Sequence, residues 1–541
     1  MSPRDRLAAR HEGDSSRVGD EDGGMSSDET QTLDPLPPTT EGAGEHLPIA
    51  AEPQLADVID VVVIGAGPTG ENVAARTAAA GLVTVIVEAA LIGGECSYSA
   101  CIPSKVLVRG GVALEAARAV DGARQAVTGE LDATATFARR TRFTGNDDDT
   151  GQLQWLYDAG IALIRGRGRI TGTSEVTIER PDGSVVVVRP RAAVVVCTGT
   201  TPAIPAIDGL IDAAPWTNRE ATHVDHAPRR LLVLGGGPVA CELATAFRML
   251  GSEHVTVINR EERLLPKVAA IAGDSVRRGM EHLGIVVRTE VQATSVARSA
   301  DGVVTVVLRS ISGATADSAA GTLDTIEADE IIVALGRRPS TTDLGLELLG
   351  LEPGTSLQSD DTGLVIGVDG RWLYAAGDVT GAVLLTHIGK YQARACADAI
   401  VERARVGVDV DFAPWSKQMA TAQHVAVPQV IFTHPEVAAV GLTADEAKDR
   451  GMTVSVVEHS IDVAGAGLHA DRYKGTAQLV IDTDRNVVVG ALFVGADVGE
   501  LVHAATIAIV GEVPIDRLWH AVPSFPTISE VWLRLLESFG C

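Results

Sequence analysis

The chain has 541 residues and a formal net charge of −26, with 71 acidic against 45 basic side chains. Its field repels polyanions and no basic stripe interrupts it, so nucleic-acid binding is excluded first. Apolar runs all fall short of the ~18 residues that mark a membrane-crossing helix, and six cysteines are too few for a disulfide scaffold.

Taken in chain order, residues 1–55 form an acidic tail. Twelve acids stand against four arginines between Met1 and Glu52, among glycine, proline and Ser/Thr runs. That composition cannot bury enough surface to offset its ordering entropy, so the tail is predicted disordered. The N-terminus has no apolar leader, which points to a cytoplasmic protein. From Asp57 onward, short Val/Ile runs alternate with Ala-rich stretches. Strands are predicted at Val58–Ile64, Val83–Val87, Ala192–Cys197, Leu231–Leu234, Val255–Ile258 and Ile331–Leu335. Alternation of this kind predicts an α/β fold with mostly parallel sheets.

One motif occurs twice. In the first copy Gly65, Gly67 and Gly70 follow a predicted strand and open a helix, and Glu88 ends the next strand. Gly65 serves the tight turn, Gly67 the approach of a pyrophosphate, and Gly70 helix-on-strand packing; Glu88 is placed to accept from a ribose hydroxyl. In the second copy Gly235 and Gly237 are followed by Ala240, and the next strand ends in Asn259-Arg260 rather than an acid. A carboxylate there would repel a 2′-phosphate, whereas Arg260 or Arg263 can pair with one, so the balance leans to NADPH over NADH. The alternative is that these arginines only neutralise Glu261 and Glu262. Two such sites in one chain suit a bound flavin and an exchanging nicotinamide.

Between the copies lies Gly93-Gly94-Glu95-Cys96-Ser97-Tyr98-Ser99-Ala100-Cys101-Ile102-Pro103-Ser104-Lys105. Five residues rise about 7.5 Å in an ideal helix, beyond disulfide reach, so a bonded pair requires a distorted segment or a loop. Two buried small residues are the plainer alternative.

These motifs resemble the class I pyridine nucleotide-disulfide oxidoreductases, which include dihydrolipoamide dehydrogenase, glutathione reductase and mercuric reductase. Further supports are Val196-Cys197-Thr198-Gly199, Ala334-Leu335-Gly336-Arg337-Arg338-Pro339, Tyr374-Ala375-Ala376-Gly377-Asp378 and Ile431-Phe432-Thr433-His434-Pro435-Glu436. The resemblance implies two Rossmann-like dinucleotide-binding domains of three-layer ββα form plus a C-terminal α+β dimerisation domain. It divides the chain into an FAD-binding part (56–222), an NAD(P)-binding domain (223–342), a second FAD-binding part (343–420) and a dimerisation domain (421–541). It further implies FAD, NADPH or NADH, a homodimer and a small-molecule electron acceptor. Cys101 is then expected against the flavin and Cys96 as the exchanging thiol. Asp378 is expected on the ribitol–phosphate region, and Lys105 near the flavin paired with Glu242. Gly94, Thr198, Gly199, Gly336 and Gly377 join the glycines above, Ala240 and Arg260 in the cofactor sites. For Lys105 the alternative is a surface lysine, although the chain holds only six lysines.

One departure matters. Disulfide-reducing members carry a His-Pro pair near the C-terminus with a Glu that orients the histidine. This chain has Phe525-Pro526 and, further on, Glu530. A phenyl ring carries no proton, and general acid–base catalysis is typically worth ~10²–10⁴-fold. His520 can be proposed as a substitute, though a histidine with no such role is the plainer reading; His434 and His387 read as structural, and Cys541 stands alone at the terminus. Three functions follow as expectations: hydride passing from NAD(P)H to FAD and on to the Cys96–Cys101 disulfide or a quinone-like acceptor; a lipoamide- or mercuric-reductase-like enzyme with another proton donor; or a non-catalytic flavin-binding dimer.

Overall fold

The structure is a computed structural model that describes residues 58–311 and 323–541; the expected acidic tail, 1–55, lies outside them. Val61–Ile64 (β1) pairs in parallel with Thr84–Glu88 (β2), Val61 opposite Thr84 and Ile64 opposite Val87. Between them runs helix α1, Pro68–Ala79. Pro68 suits the first helical position, where a missing N–H leaves nothing unpaired. β1 lies inside a five-stranded parallel sheet in the order Leu373–Ala375, Ala193–Val196, β1, β2, Ala162–Arg165. Val62 and Ile64 pack in one cluster and Val61 and Val63 in another. Both faces are therefore buried, which is why these strands read as unbroken apolar runs. β1 starts later than the sequence suggests because Val58 is exposed.

The second motif builds a four-stranded parallel sheet ordered Val286–Arg288, His254–Ile258, Arg230–Leu234, Glu330–Val333. The last strand stops at Val333, short of the predicted Leu335, whose side chain is exposed. Helix Pro238–Met249 is buried at every residue from Ala240 to Phe247. It is a core helix, and the acid at Glu242 is buried within it.

The C-terminal part is a five-stranded antiparallel sheet, Gln429–Ile431, Glu436–Gly441, Val487–Gly495, Thr476–Asp482, Val454–Ser460, with helices Val502–Val510 and Val531–Phe539 packed on it. All nine residues of Val487–Gly495 are buried. Among the described residues no helix is long and apolar enough to cross a membrane.

Candidate active site

The glycine loops have the shape that phosphates need. A Cβ at Gly65 would stand 2.5 Å from the Cys197 carbonyl oxygen, and its φ is +103°. One at Gly70 would stand 1.9 Å from the Gly65 carbonyl oxygen, yet one at Gly67 would meet no atom within 4 Å. Gly65 and Gly70 thus close the turn and seat the helix, while Gly67 borders open space at the N-terminus of α1. The second loop repeats this: a Cβ at Gly235 would stand 2.4 Å from the Ala334 carbonyl oxygen, Gly237 faces open space, and Ala240 is fully buried.

Glu88 accepts from the Ala66 backbone N–H at 2.6 Å and the Ala90 N–H at 2.7 Å, so it braces the first loop. The exposed Arg260 side chain lies 3.0 Å from Glu261, and the Asn259 amide donates to the Glu261 and Arg263 carbonyls.

The cysteine segment is broken as its spacing requires. Gly94–Tyr98 forms a short helix, α2; Ala100 leaves helical geometry at φ −134° and ψ −97°; Cys101 begins the 18-residue helix α3, Cys101–Arg118. Cys96 and Cys101 are free thiols. The Thr386 hydroxyl, first in helix Thr386–Val406, lies 3.3 Å from Cys101 Sγ and 3.4 Å from Cys96 Sγ. The two thiols share a proton unequally. A hydrogen bond from Cys96, with help from Thr386 and Lys105, draws Cys101 down towards the thiolate, while that same hydrogen bond and burial push Cys96 up. Helix N-termini at Cys101 and Thr386 favour the same negative charge.

Behind this pair, Lys105 Nζ donates to Glu242 at 2.7 Å, and the other Glu242 oxygen accepts from the Phe432 backbone N–H at 2.9 Å. Glu242 is only 7% exposed. Removing either partner of such a pair leaves a poorly compensated charge, roughly 3–5 kcal/mol when fully buried and less here because Lys105 is partly solvated. A second network links the motifs. Arg219 and Arg337 both pair with Glu95, and Arg337 also donates to the Thr200 hydroxyl at 2.6 Å. The Thr200 hydroxyl in turn donates to Asp378 at 3.3 Å. Burial raises the Asp378 carboxyl, with Arg337 and Thr200 opposing. Gly377 lies so close to Thr69 that a Cβ would be 2.8 Å from its hydroxyl, whereas Gly199 and Gly336 border open space. Gly94 is left-handed at φ +58° and abuts Gly67.

Glu95, Arg219, Arg337 and Thr386 were not singled out by sequence; Glu95 and Arg337 do sit inside the quoted motifs, the one signal available. At the C-terminal end, Phe525 is 74% exposed. Glu530 accepts from Arg534 at 3.2 Å through one oxygen, and its other oxygen is buried with no partner. His520 is exposed, His387 contacts the Pro428 carbonyl at 2.7 Å, and burial lowers the pKa of His434.

Glu71, in the first turn of α1, is a half-buried acid. Burial pushes it up to about 7, Lys390 pulling down and Glu88 adding to the rise. Its folded value exceeds its ordinary 4.5, so the stability tied to its proton is present below 4.5 and lost as pH rises through about 7. Glu71→Gln should therefore match the parent near pH 4 and exceed it near pH 8 by roughly 1–3 kcal/mol, allowing for partial exposure. Urea midpoints at the two pH values check this; an equal gain at both would contradict it.

Residues 59–399 match the model of pyridine nucleotide-disulphide oxidoreductases, and residues 427–535 match that family's dimerisation domain. The chain belongs to the pyridine nucleotide-disulfide oxidoreductase family, a family of FAD-dependent enzymes working with NAD(P)H. It is 30% identical over 490 residues to a dihydrolipoyl dehydrogenase of Thermus scotoductus, covering 88% of this chain and 97% of that one. It is 26% identical over 473 residues to a mercuric reductase of Staphylococcus aureus, covering 87% and 80%. The solved flavoprotein disulfide reductase RclA from Escherichia coli, as its Cu(II) complex, superposes with a TM-score of 0.73 at 20% identity, covering 89% and 99%. That likeness shows the fold.

The residues present fit a flavin. The Thr198 hydroxyl is buried with no partner, and the open faces of Gly67 and Gly199 leave room for a ligand near it.

Proposed function

We propose that this chain is an FAD-dependent NAD(P)H oxidoreductase, a homodimer, whose electrons leave through the Cys96–Cys101 pair to a small disulfide. The observation that carries this reading is the single Thr386 hydroxyl in contact with both sulfurs, one of them held towards the thiolate. Gly65, Gly67, Gly70, Gly94, Thr198, Gly199, Gly377 and Asp378 would hold FAD; Gly235, Gly237, Ala240, Arg260 and Gly336 would hold the nicotinamide dinucleotide. The strand end at Asn259-Arg260, free of a carboxylate, favours NADPH. Bound FAD supplies a two-electron carrier between nicotinamide and sulfur. Lys105, fixed by Glu242, keeps a positive charge beside it. Cys101 holds negative charge, and Cys96 is the sulfur that meets substrate.

Phe525 in the place of a proton-carrying residue favours a second reading, in which a quinone-like acceptor takes electrons without using the sulfurs. Anaerobic titration with NADPH separates the two. Two electrons reduce a flavin and two more open a disulfide, so four per flavin are expected. Uptake of two assigns the acceptor to direct reduction.

A further inference from the structure

The loop that carries Asp378 is held from behind by side chains outside the motifs above. The helix Thr386–Val406 presents Thr386, Gly389 and Gln392 in step, three residues apart on one face. Thr386 meets both sulfurs. A Cβ at Gly389 would stand 3.3 Å from Gly377 Cα, so the helix lies directly against the loop. Gln392 then reaches the loop itself: its Oε1 accepts from the Gly377 backbone N–H at 2.7 Å. Gly377 is buried and Gln392 is only 7% exposed, which puts that N–H out of reach of bulk water.

The row of hydrogen bonds continues outward. Gln392 Nε2 donates to Gln423 Oε1 at 2.7 Å, and Gln423 Nε2 donates to Asp361 Oδ1 at 3.0 Å. His424 Nε2 lies 2.6 Å from the same Asp361 oxygen, at the exposed end of the row. Gln423 and His424 belong to the turn Thr421–His424. The Tyr391 hydroxyl fastens that turn to the helix, donating to the Met419 carbonyl at 3.3 Å and accepting from the Ala422 N–H at 3.2 Å.

The direction of the row is forced at both ends. A backbone N–H only donates, and a carboxylate only accepts. Between them Gln392 must turn its oxygen to Gly377 and its NH2 to Gln423, and Gln423 must repeat that orientation towards Asp361. Neither amide can flip without setting two like groups face to face. We infer that Gln392 is the positioning residue of the Gly377–Asp378 loop, and that Asp361 fixes which way its amide points. The inference rests on the reading above in which Gly377 and Asp378 hold FAD. Gln392 acts through Gly377: with its N–H paired, the loop keeps Asp378 where the Thr200 hydroxyl meets it at 3.3 Å.

The test follows release of FAD from the full-length holoprotein, by flavin fluorescence after dilution at pH 8.5. Gln392→Met keeps the length of the side chain and removes both hydrogen bonds. FAD should then leave about tenfold faster, the order expected when a buried N–H loses its partner. Asp361→Asn should stay within about threefold of the parent, because a carbonyl oxygen still faces Gln423. Gln392→Glu places the single NH2 group of Gln423 between two carboxylates and should again release FAD about tenfold faster. Adding Asp361→Asn to Gln392→Glu reverses the row. The new amide at 361 donates to Gln423, whose NH2 turns to the new carboxylate at 392, and release should return to within about threefold of the parent. Such rescue depends on donor order, and restored packing would not produce it. A parental release rate in Gln392→Met, or a double variant no slower than Gln392→Glu, overturns this inference alone when Asp378→Ala still loses FAD faster. An Asp378→Ala protein that keeps FAD as the parent does overturns the reading of the loop and this inference with it.

Discussion

Cys101→Ser should abolish reduction of disulfide substrates, by on the order of 10³-fold or more, while NADPH-driven reduction of a one-electron dye stays within about threefold of the parent. The reason is that two sulfurs are needed to release the substrate. Cys96 can open a disulfide, but only a second thiolate can displace the bound half, and a serine hydroxyl forms no S–S bond. Cys101 is the member drawn towards the thiolate, by the hydrogen bond from Cys96 and by Thr386 and Lys105. Its loss should also leave Cys96 as a lone, more ordinary thiol, since their mutual hydrogen bond pushes Cys96 up. Steady-state kinetics with both acceptor types checks the prediction, together with electron uptake falling from four to two per flavin. Disulfide turnover that survives the substitution would mean that electrons bypass the pair.

The second large effect runs the other way. Phe525→His should raise glutathione-disulfide or lipoamide reduction by about 10²-fold, the lower end of what a positioned acid–base group supplies. Glu530 makes this concrete. One of its oxygens is held by Arg534 at 3.2 Å, and the other is buried with no partner. A carboxylate with an unused oxygen is suited to receive an imidazole N–H and fix its tautomer. Activity of the variant should then acquire a pH limb near the ordinary histidine value of ~6.5 that the parent lacks. A flat response in both rate and pH profile would place the restriction in the pocket that admits substrate, and not in the missing base.

Much of the fold is legible along the chain because it depends on short-range rules. β1 and its neighbours are apolar without interruption, since both faces of the sheet are covered. The glycines recur at fixed intervals because a carbonyl oxygen lies within 2.5 Å of where a Cβ at Gly65 or Gly70 would stand. The five-residue spacing of Cys96 and Cys101 already demands a break in the helix, and Ala100 provides it. Glu242 was legible only through the family resemblance, because an acid inside an apolar helix carries no local pattern that names its partner.

What the chain does not announce is which groups far apart along it meet. Glu88 reaches back 22 residues to the Ala66 amide and so braces the first loop. Arg337 meets Glu95, far away along the chain, and nothing in either segment names the partner.

The sequence by itself determined the two dinucleotide units, the cysteine pair between them and the phenylalanine where the family resemblance expects histidine. The first follows from backbone sterics and apolar periodicity, which act over a few residues; the meaning of the other two comes from the family resemblance. Only the tertiary structure decided that Thr386 touches both sulfurs and that burial pushes Glu71 up to about 7. Those outcomes depend on distance and burial in space. Electrostatic interaction follows those quantities, and separation along the chain does not reveal them.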